Sequence, residues 1–351
     1  MPTARVHTSD PSPDGIAGTL RRARECVEPS LRRAVATLPD DGPDSLYRMA
    51  GYHLGWWDRD GLATDGHGGK ALRPALAIIA AEAWSGDGES AVGAAAAVEL
   101  VHNFTLLHDD IVDRDRVRRG RATVWAAWDL PHALLLGDAL HALAYQTAAQ
   151  WVPRLAVDAI LARLTRTSID LCRGELDDCV FESGADITVD HYLRMAVDKT
   201  GALLGCACAV GALSAGADQA TVAALERFGR QLGLAFQFVD DLLGLWGDPG
   251  VTGKPVGSDL LRRKRSLPIV YALESTTAAG RELRRLLRDP VAVAAPGGVE
   301  RATDLIIATG GRDYVELQVR RRVRAALAAL PDTVAPDELI ALTELLAHRD
   351  S

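Results

Sequence analysis

Glu99–Trp125, ELVHNFTLLHDDIVDRDRVRRGRATVW, sets an apolar run directly before a cluster of aspartates and two adjacent arginines. Leu100, Phe104, Leu107 and Ile111 recur at helical spacing, so the stretch reads as a helix with one buried stripe. Asp109 and Asp113, four apart, then share a face about one turn from each other. Two carboxylates so placed repel each other unless a divalent cation sits between them. Hard oxygen ligands, with water in the remaining positions, suit Mg²⁺. Standing alone, DDIVD is more commonly a solvated acidic helix end.

The pattern returns at Phe236–Gly244, FQFVDDLLG, where Asp240 and Asp241 again follow an apolar, helix-periodic run and Gln237 lies one turn before Asp240. A second pair predicts a facing half-site. Two helices pointing carboxylates at each other across a bundle make a cage for several Mg²⁺ ions, and such a cage favours a diphosphate over a neutral substrate.

Four further motifs accompany these two: GGKALRP at Gly68–Pro74, the Lys199-Thr200 pair, TGKPVGSDL at Thr252–Leu260 and RKRSLP at Arg263–Pro268; RRG at Arg118–Gly120 follows DDIVD. Together, and in this order, they resemble the all-helical trans-isoprenyl diphosphate synthases (polyprenyl synthetases). The resemblance runs from about Leu46 nearly to the C-terminus. It implies an all-α, single-domain antiparallel helical bundle around a central cavity, the isoprenoid synthase type I fold. It also implies Mg²⁺-dependent head-to-tail (1'-4) condensation of isopentenyl diphosphate with an allylic diphosphate, with three ions per site, and a homodimer. By the same resemblance, Asp109, Asp113 and Asp240 are the metal ligands, with Asp110 and Asp241 secondary. Lys70, Arg73, His102 and Arg119 match the residues that hold isopentenyl diphosphate. Arg118, Lys199, Thr200, Gln237 and Lys254 match those that hold the allylic diphosphate, and Lys264, with Arg265, belongs to the same electrostatic cap.

Physical reasoning supports parts of this assignment independently. Lys70 and Arg73 are three apart after the glycine-rich Gly61–Gly69, near a helix start, which makes a plausible phosphate clamp; such loop-plus-basic pairs are also often structural. Lys254 lies in a Gly/Pro-rich loop suited to a lid. Phe104 and Thr105 lie five and four residues before Asp109. In the family, an aromatic at the fifth position with a small residue at the fourth goes with a C20 product, geranylgeranyl diphosphate, and aromatics at both go with C15. Phe104 is otherwise an ordinary core aromatic.

Two departures stand out. RGELDD carries Glu175 where the family has glutamine, and DDLLG carries Gly244 where the second motif has a third aspartate. A farnesyl diphosphate synthase, a class I terpene cyclase using the same metal-bound aspartates, and a non-catalytic subunit of a heteromeric synthase remain as alternatives. The basic set Lys70, Arg73, His102 and Arg119 argues against the cyclase, which needs no second diphosphate site.

Composition agrees with this reading. The 351 residues are 48% hydrophobic and only 5% aromatic, rich in alanine and leucine, with long 3.6-periodic stretches and almost no strand signal. Residues 1–15 read as a flexible tail and 16–351 as one domain, with no internal boundary. Helices are expected over Ile16–Leu38, Leu46–Trp57, His132–Trp151, Val157–Cys172, His191–Leu213 and Ile269–Leu287. The net charge of −8 argues against general nucleic-acid binding, while a polyphosphate substrate needs only local cations. Cys26, Cys172, Cys179, Cys206 and Cys208 show no disulfide or zinc spacing and are expected to be buried thiols. Arg320, Arg321, Arg322 and Arg324 read as a solvated face. Without a signal peptide or an apolar span long enough to cross a bilayer, the chain reads as cytoplasmic.

Overall fold

Alanine- and leucine-rich sequence favours helix, and helices carry nearly all of the computed structural model, which describes residues 13–64, 69, 71–182, 187–252 and 255–347. The order is α1 (Pro13–Val35), α2 (Leu46–His53), α3 (Leu72–Ser85), α4 (Val92–Val112), β1 (Val117–Arg118), β2 (Arg121–Ala122), α5 (Val124–Ala127), α6 (Leu130–Trp151), α7 (Val157–Glu182) and α8 (Val189–Ala196). A π-turn (Val197–Gly201) then leads into α9 (Ala202–Ser214) and α10 (Gln219–Trp246). The remainder is α11 (Pro249–Thr252), α12 (Ser258–Leu261), α13 (Leu267–Glu274), α14 (Ala278–Leu287), α15 (Pro290–Ala294), α16 (Gly298–Ala308), α17 (Gly311–Leu327) and α18 (Asp337–Ala347).

The middle of the bundle is α4, α9 and α10. α4 packs on α6 and α3, α9 lies between α3 and α10, and α17 backs α10. Every residue of α9 is buried. Gly211 is required there, because an added Cβ would overlap the Ala77 carbonyl of α3.

This arrangement corrects one sequence expectation. Glu89–Val112 and Val189–Ser214 are each long and apolar enough to cross a membrane, but 67% and 89% of those windows are buried inside the protein. A helix apolar on all sides is a core helix when neighbours surround it.

Other differences are local. α1 starts at Pro13, inside the stretch read as a tail, and residues 1–12 lie outside those described. α7 continues through RGELDD to Glu182. The helix expected over Ile269–Leu287 is two, because the Thr277 hydroxyl caps the Gly280 N–H at 3.2 Å and starts α14 afresh. All five cysteines are free, but only Cys206 and Cys208 are buried; Cys26 and Cys172 are exposed. Arg322 is not solvated like its neighbours: it packs back on α10 and donates to Gln231 at 3.2 Å.

Candidate active site

Asp109 and Asp110 end α4, and Asp113 caps it. Burial, then the carboxylates of Glu175 and Asp113, push Asp109 up to about 8, against the opposing charges of Lys199 and Arg118. A cluster of hard oxygen donors in electrostatic conflict suits a divalent cation. Across from it, α10 presents Asp240 to solvent, while Asp241 turns inward.

Asp241 accepts from the Tyr192 hydroxyl at 2.5 Å, the Leu267 N–H at 2.9 Å and Gln237 Nε2 at 3.1 Å. Those donors occupy both of its oxygens, so its place is in the scaffold joining α8, α10 and α13. Gln237 in turn accepts from the Thr200 hydroxyl at 2.7 Å, which ties α10 to the π-turn.

The π-turn carries Lys199. Its ammonium lies 2.7 Å from Glu175 and 2.6 Å from Asp178, both on α7. Burial opposes the charge, but Asp178, Glu175 and Asp109 together raise its pKa. The contact is possible because Gly174 has no side chain: a Cβ there would overlap the Lys199 backbone N–H. Asp178 was not singled out from the sequence, although its three-residue spacing from Glu175 puts both on one helical face.

The RRG motif is a hairpin turn. Val117 pairs with Ala122 and Arg118 with Arg121, leaving Arg119 (φ 52°) and Gly120 (φ 74°) as a two-residue loop in the left-handed region. Arg121 fastens the hairpin to α2 and the segment after it by donating to the Tyr52 carbonyl at 3.2 Å and the Trp57 carbonyl at 2.8 Å, and the Tyr52 hydroxyl answers with a bond to the Ala122 carbonyl at 2.8 Å. Arg118 is thereby aimed at Asp110, 2.6 Å away.

Behind the hairpin lies a basic cluster. Arg73 Nη1 donates to His102 Nε2 at 3.0 Å. Burial, then Arg73 and Arg119, hold the His102 pKa far below the ordinary imidazole range, so the ring accepts as a neutral group. Burial lowers Arg73 to about 10, which leaves it charged at neutral pH. Arg73 Nε is buried without a hydrogen-bond partner, donor capacity that suits an anion. Lys70 and Lys254 lie outside the described residues.

The segment after α12 reaches over the α4 carboxylates. Arg262 pairs with Asp115 at 2.8 Å and Lys264 with Asp113 at 3.6 Å. Arg265 and Lys264, with Arg263 and Val293, also line a cleft on the side of α12. Gly244 has a structural explanation: the Asp259 carboxylate occupies the space over it that a side chain would fill. Phe104 is buried in α4, and the Thr105 hydroxyl is spent on the His102 carbonyl at 2.8 Å. Among the described residues, no three His, Cys, Asp or Glu side chains converge closely enough to form a complete ion cage by themselves.

Comparison with known proteins adds an independent line. The Polyprenyl synthetase family description matches residues 63–303. A geranylgeranyl diphosphate synthase of Mycobacterium tuberculosis is 51% identical over 331 residues, 94% of this chain and 93% of the relative. A (2E,6E)-farnesyl diphosphate synthase of Mycobacterium bovis is 40% identical over 346 residues, 96% of this chain and 95% of the relative. Among solved structures, a polyprenyl synthetase from Streptomyces coelicolor A3(2) superposes with a TM-score of 0.85 at 42% identity, covering 94% of this chain and 99% of that one.

Proposed function

Because the chain belongs to the polyprenyl synthetase family and is a prenyltransferase of the short-chain kind, we propose that it condenses isopentenyl diphosphate with an allylic diphosphate to give geranylgeranyl diphosphate. The observation that carries the reading is the pair of charged compartments side by side: the α4 and α10 carboxylates with Lys199 in one, and Arg73, His102 and Arg119 in the other.

Members of this family depend on Mg²⁺ in general. Asp109, Asp113 and Asp240 would hold the metal, with three ions the expected number. When bound, the metal neutralises charge as it develops on the departing diphosphate. Arg118, Lys199, Thr200, Gln237, Lys254 and Lys264 bind and orient that diphosphate. Lys70, Arg73, His102 and Arg119 hold the second substrate so that its double bond faces the allylic carbon. A charged guanidinium grips a phosphate through paired, charge-assisted hydrogen bonds. The released diphosphate takes the proton.

Phe104, five residues before Asp109, supports a C20 product over the farnesyl alternative, since Thr105 leaves the fourth position small. Arg73, with an unpartnered Nε, supports a synthase over a cyclase. Asp259, standing over Gly244, weakens the case for an inactive subunit, because a carboxylate is retained one turn from Asp240. Exposed Leu130, Leu134 and Leu135 on α6 and Ile169, Leu176 and Val180 on α7 support a homodimer through these faces.

The test is product analysis with Mg²⁺, isopentenyl diphosphate and C5, C10 or C15 allylic starters. A C20 diphosphate is expected, and Phe104→Ala should lengthen it. Hydrocarbon or alcohol from the allylic substrate alone would establish a cyclase, and a C15 product would establish the farnesyl alternative.

A further inference from the structure

Phe104 does not stand alone. Its ring is 6% exposed and lies between two imidazoles: His108 on α4, edge-on at 5.5 Å, and His141 on α6, tilted at 4.4 Å. Each imidazole is itself tied down. His108 Nε2 is 3.1 Å from the Leu134 carbonyl of α6. His141 Nε2 is 3.0 Å from Ser168 Oγ on α7, and the Tyr145 hydroxyl meets that same oxygen at 2.9 Å. The Tyr145 ring also packs edge-on against His141 at 5.0 Å. Ser168 is 5% exposed, so water does not readily replace it.

We propose that Ser168 is a positioning residue for product length, holding His141 against the Phe104 ring so that the ring resists displacement by the growing prenyl chain. The inference rests on Phe104 being the floor. An aromatic ring packed only among aliphatic side chains can tilt or change rotamer when pressed, and a ring wedged against a hydrogen-bonded imidazole has fewer ways to yield. One hydroxyl serves two partners from the neighbouring helix. Removing it leaves His141 Nε2 and the Tyr145 hydroxyl without their shared bond, so both re-aim toward other partners and the wedge behind Phe104 loosens. None of these groups touches the carboxylates or the basic cluster, so the diphosphate chemistry does not depend on them.

The experiment compares product distributions of the parent enzyme, Ser168→Ala, Ser168→Thr, His141→Gln and Phe104→Ala with Mg²⁺, isopentenyl diphosphate and the C15 starter. The fraction of product longer than the parent's is expected to rise about tenfold or more in Ser168→Ala and in His141→Gln, on the scale of a one-methylene discrimination. First-condensation kcat/KM should stay within about twofold of the parent, since no charged contact is altered. Ser168→Thr, which keeps the hydroxyl, should restore the parent length, and Phe104→Ala combined with Ser168→Ala should add nothing to Phe104→Ala. If Phe104→Ala lengthens the product while both Ser168→Ala and His141→Gln leave it unchanged, the relay is wrong and the floor survives. If Phe104→Ala itself changes nothing, the floor assignment fails first. Should Ser168→Ala not fold, Ser168→Cys decides in its place, because it removes the hydroxyl with little change of volume; unchanged product length in that variant overturns the proposal.

Discussion

At the scale of single residues, Glu175 is the informative departure. Its carboxylate and that of Asp178 both grip Lys199, so the ammonium assigned to the allylic diphosphate already has two anionic partners. Glu175 also raises the Asp109 pKa, second only to burial. A diphosphate must therefore compete for Lys199 and approach an additional negative charge. Glu175→Gln is expected to lower KM for the allylic substrate about three- to tenfold, the worth of roughly 1 kcal/mol in one charge-assisted contact. Steady-state kinetics with varied allylic diphosphate measure this, and an unchanged or higher KM would contradict it. The identity of Glu175 was legible in the sequence, but its partner was not: which cation lies opposite depends on how α7 packs against the π-turn.

At the scale of elements, the π-turn Val197–Gly201 interrupts what periodicity alone reads as one helix from His191 to Leu213. The apolar pattern passes through it without a visible break, because α9 is buried on every side and has no polar face whose rotation would show. π-bulges recur at functional sites, and here the bulge carries Lys199 and Thr200. Gly174 on α7 makes room for it. Gly174→Ala is expected to push the π-turn off α7, lowering kcat/KM at least about tenfold and stability by about 1–3 kcal/mol, the usual cost of overpacking. Kinetics together with a denaturation midpoint test this; full activity in the variant would show that the close approach is dispensable. The hairpin is the other element missed by patterning. Four residues of strand are too few for an alternation signal, although Arg-Gly at its tip is compatible with the left-handed turn that it makes.

At the scale of the whole molecule, α6 and α7 each leave several large apolar residues facing solvent. Leu135 is 60% exposed, Ile169 60% and Leu176 63%. A pair of helical faces of this kind is suited to isologous association. Sedimentation is expected to give about twice the 37.5 kDa chain mass, and Leu135→Glu with Leu176→Glu should shift it toward the monomer. Parent protein sedimenting at the chain mass would exclude the dimer. Because Ser168, His141 and Tyr145 lie on these same two helices, the product of the monomeric variant also reports whether association stiffens the floor behind Phe104.

Sequence by itself determined the helical class, the two aspartate pairs and the basic residues that accompany them, because helical periodicity and residue chemistry are local properties. It also identified Phe104 and the two departures, Glu175 and Gly244. Tertiary structure alone decided that Asp241 is tied into the scaffold, that Asp259 stands over Gly244, that Lys199 answers Glu175 and Asp178, and that His141 backs Phe104. Each of those contacts joins residues from elements whose spacing along the chain carries no information about their meeting. Packing of close-fitting helices, with glycines setting how near two backbones come, supplies it.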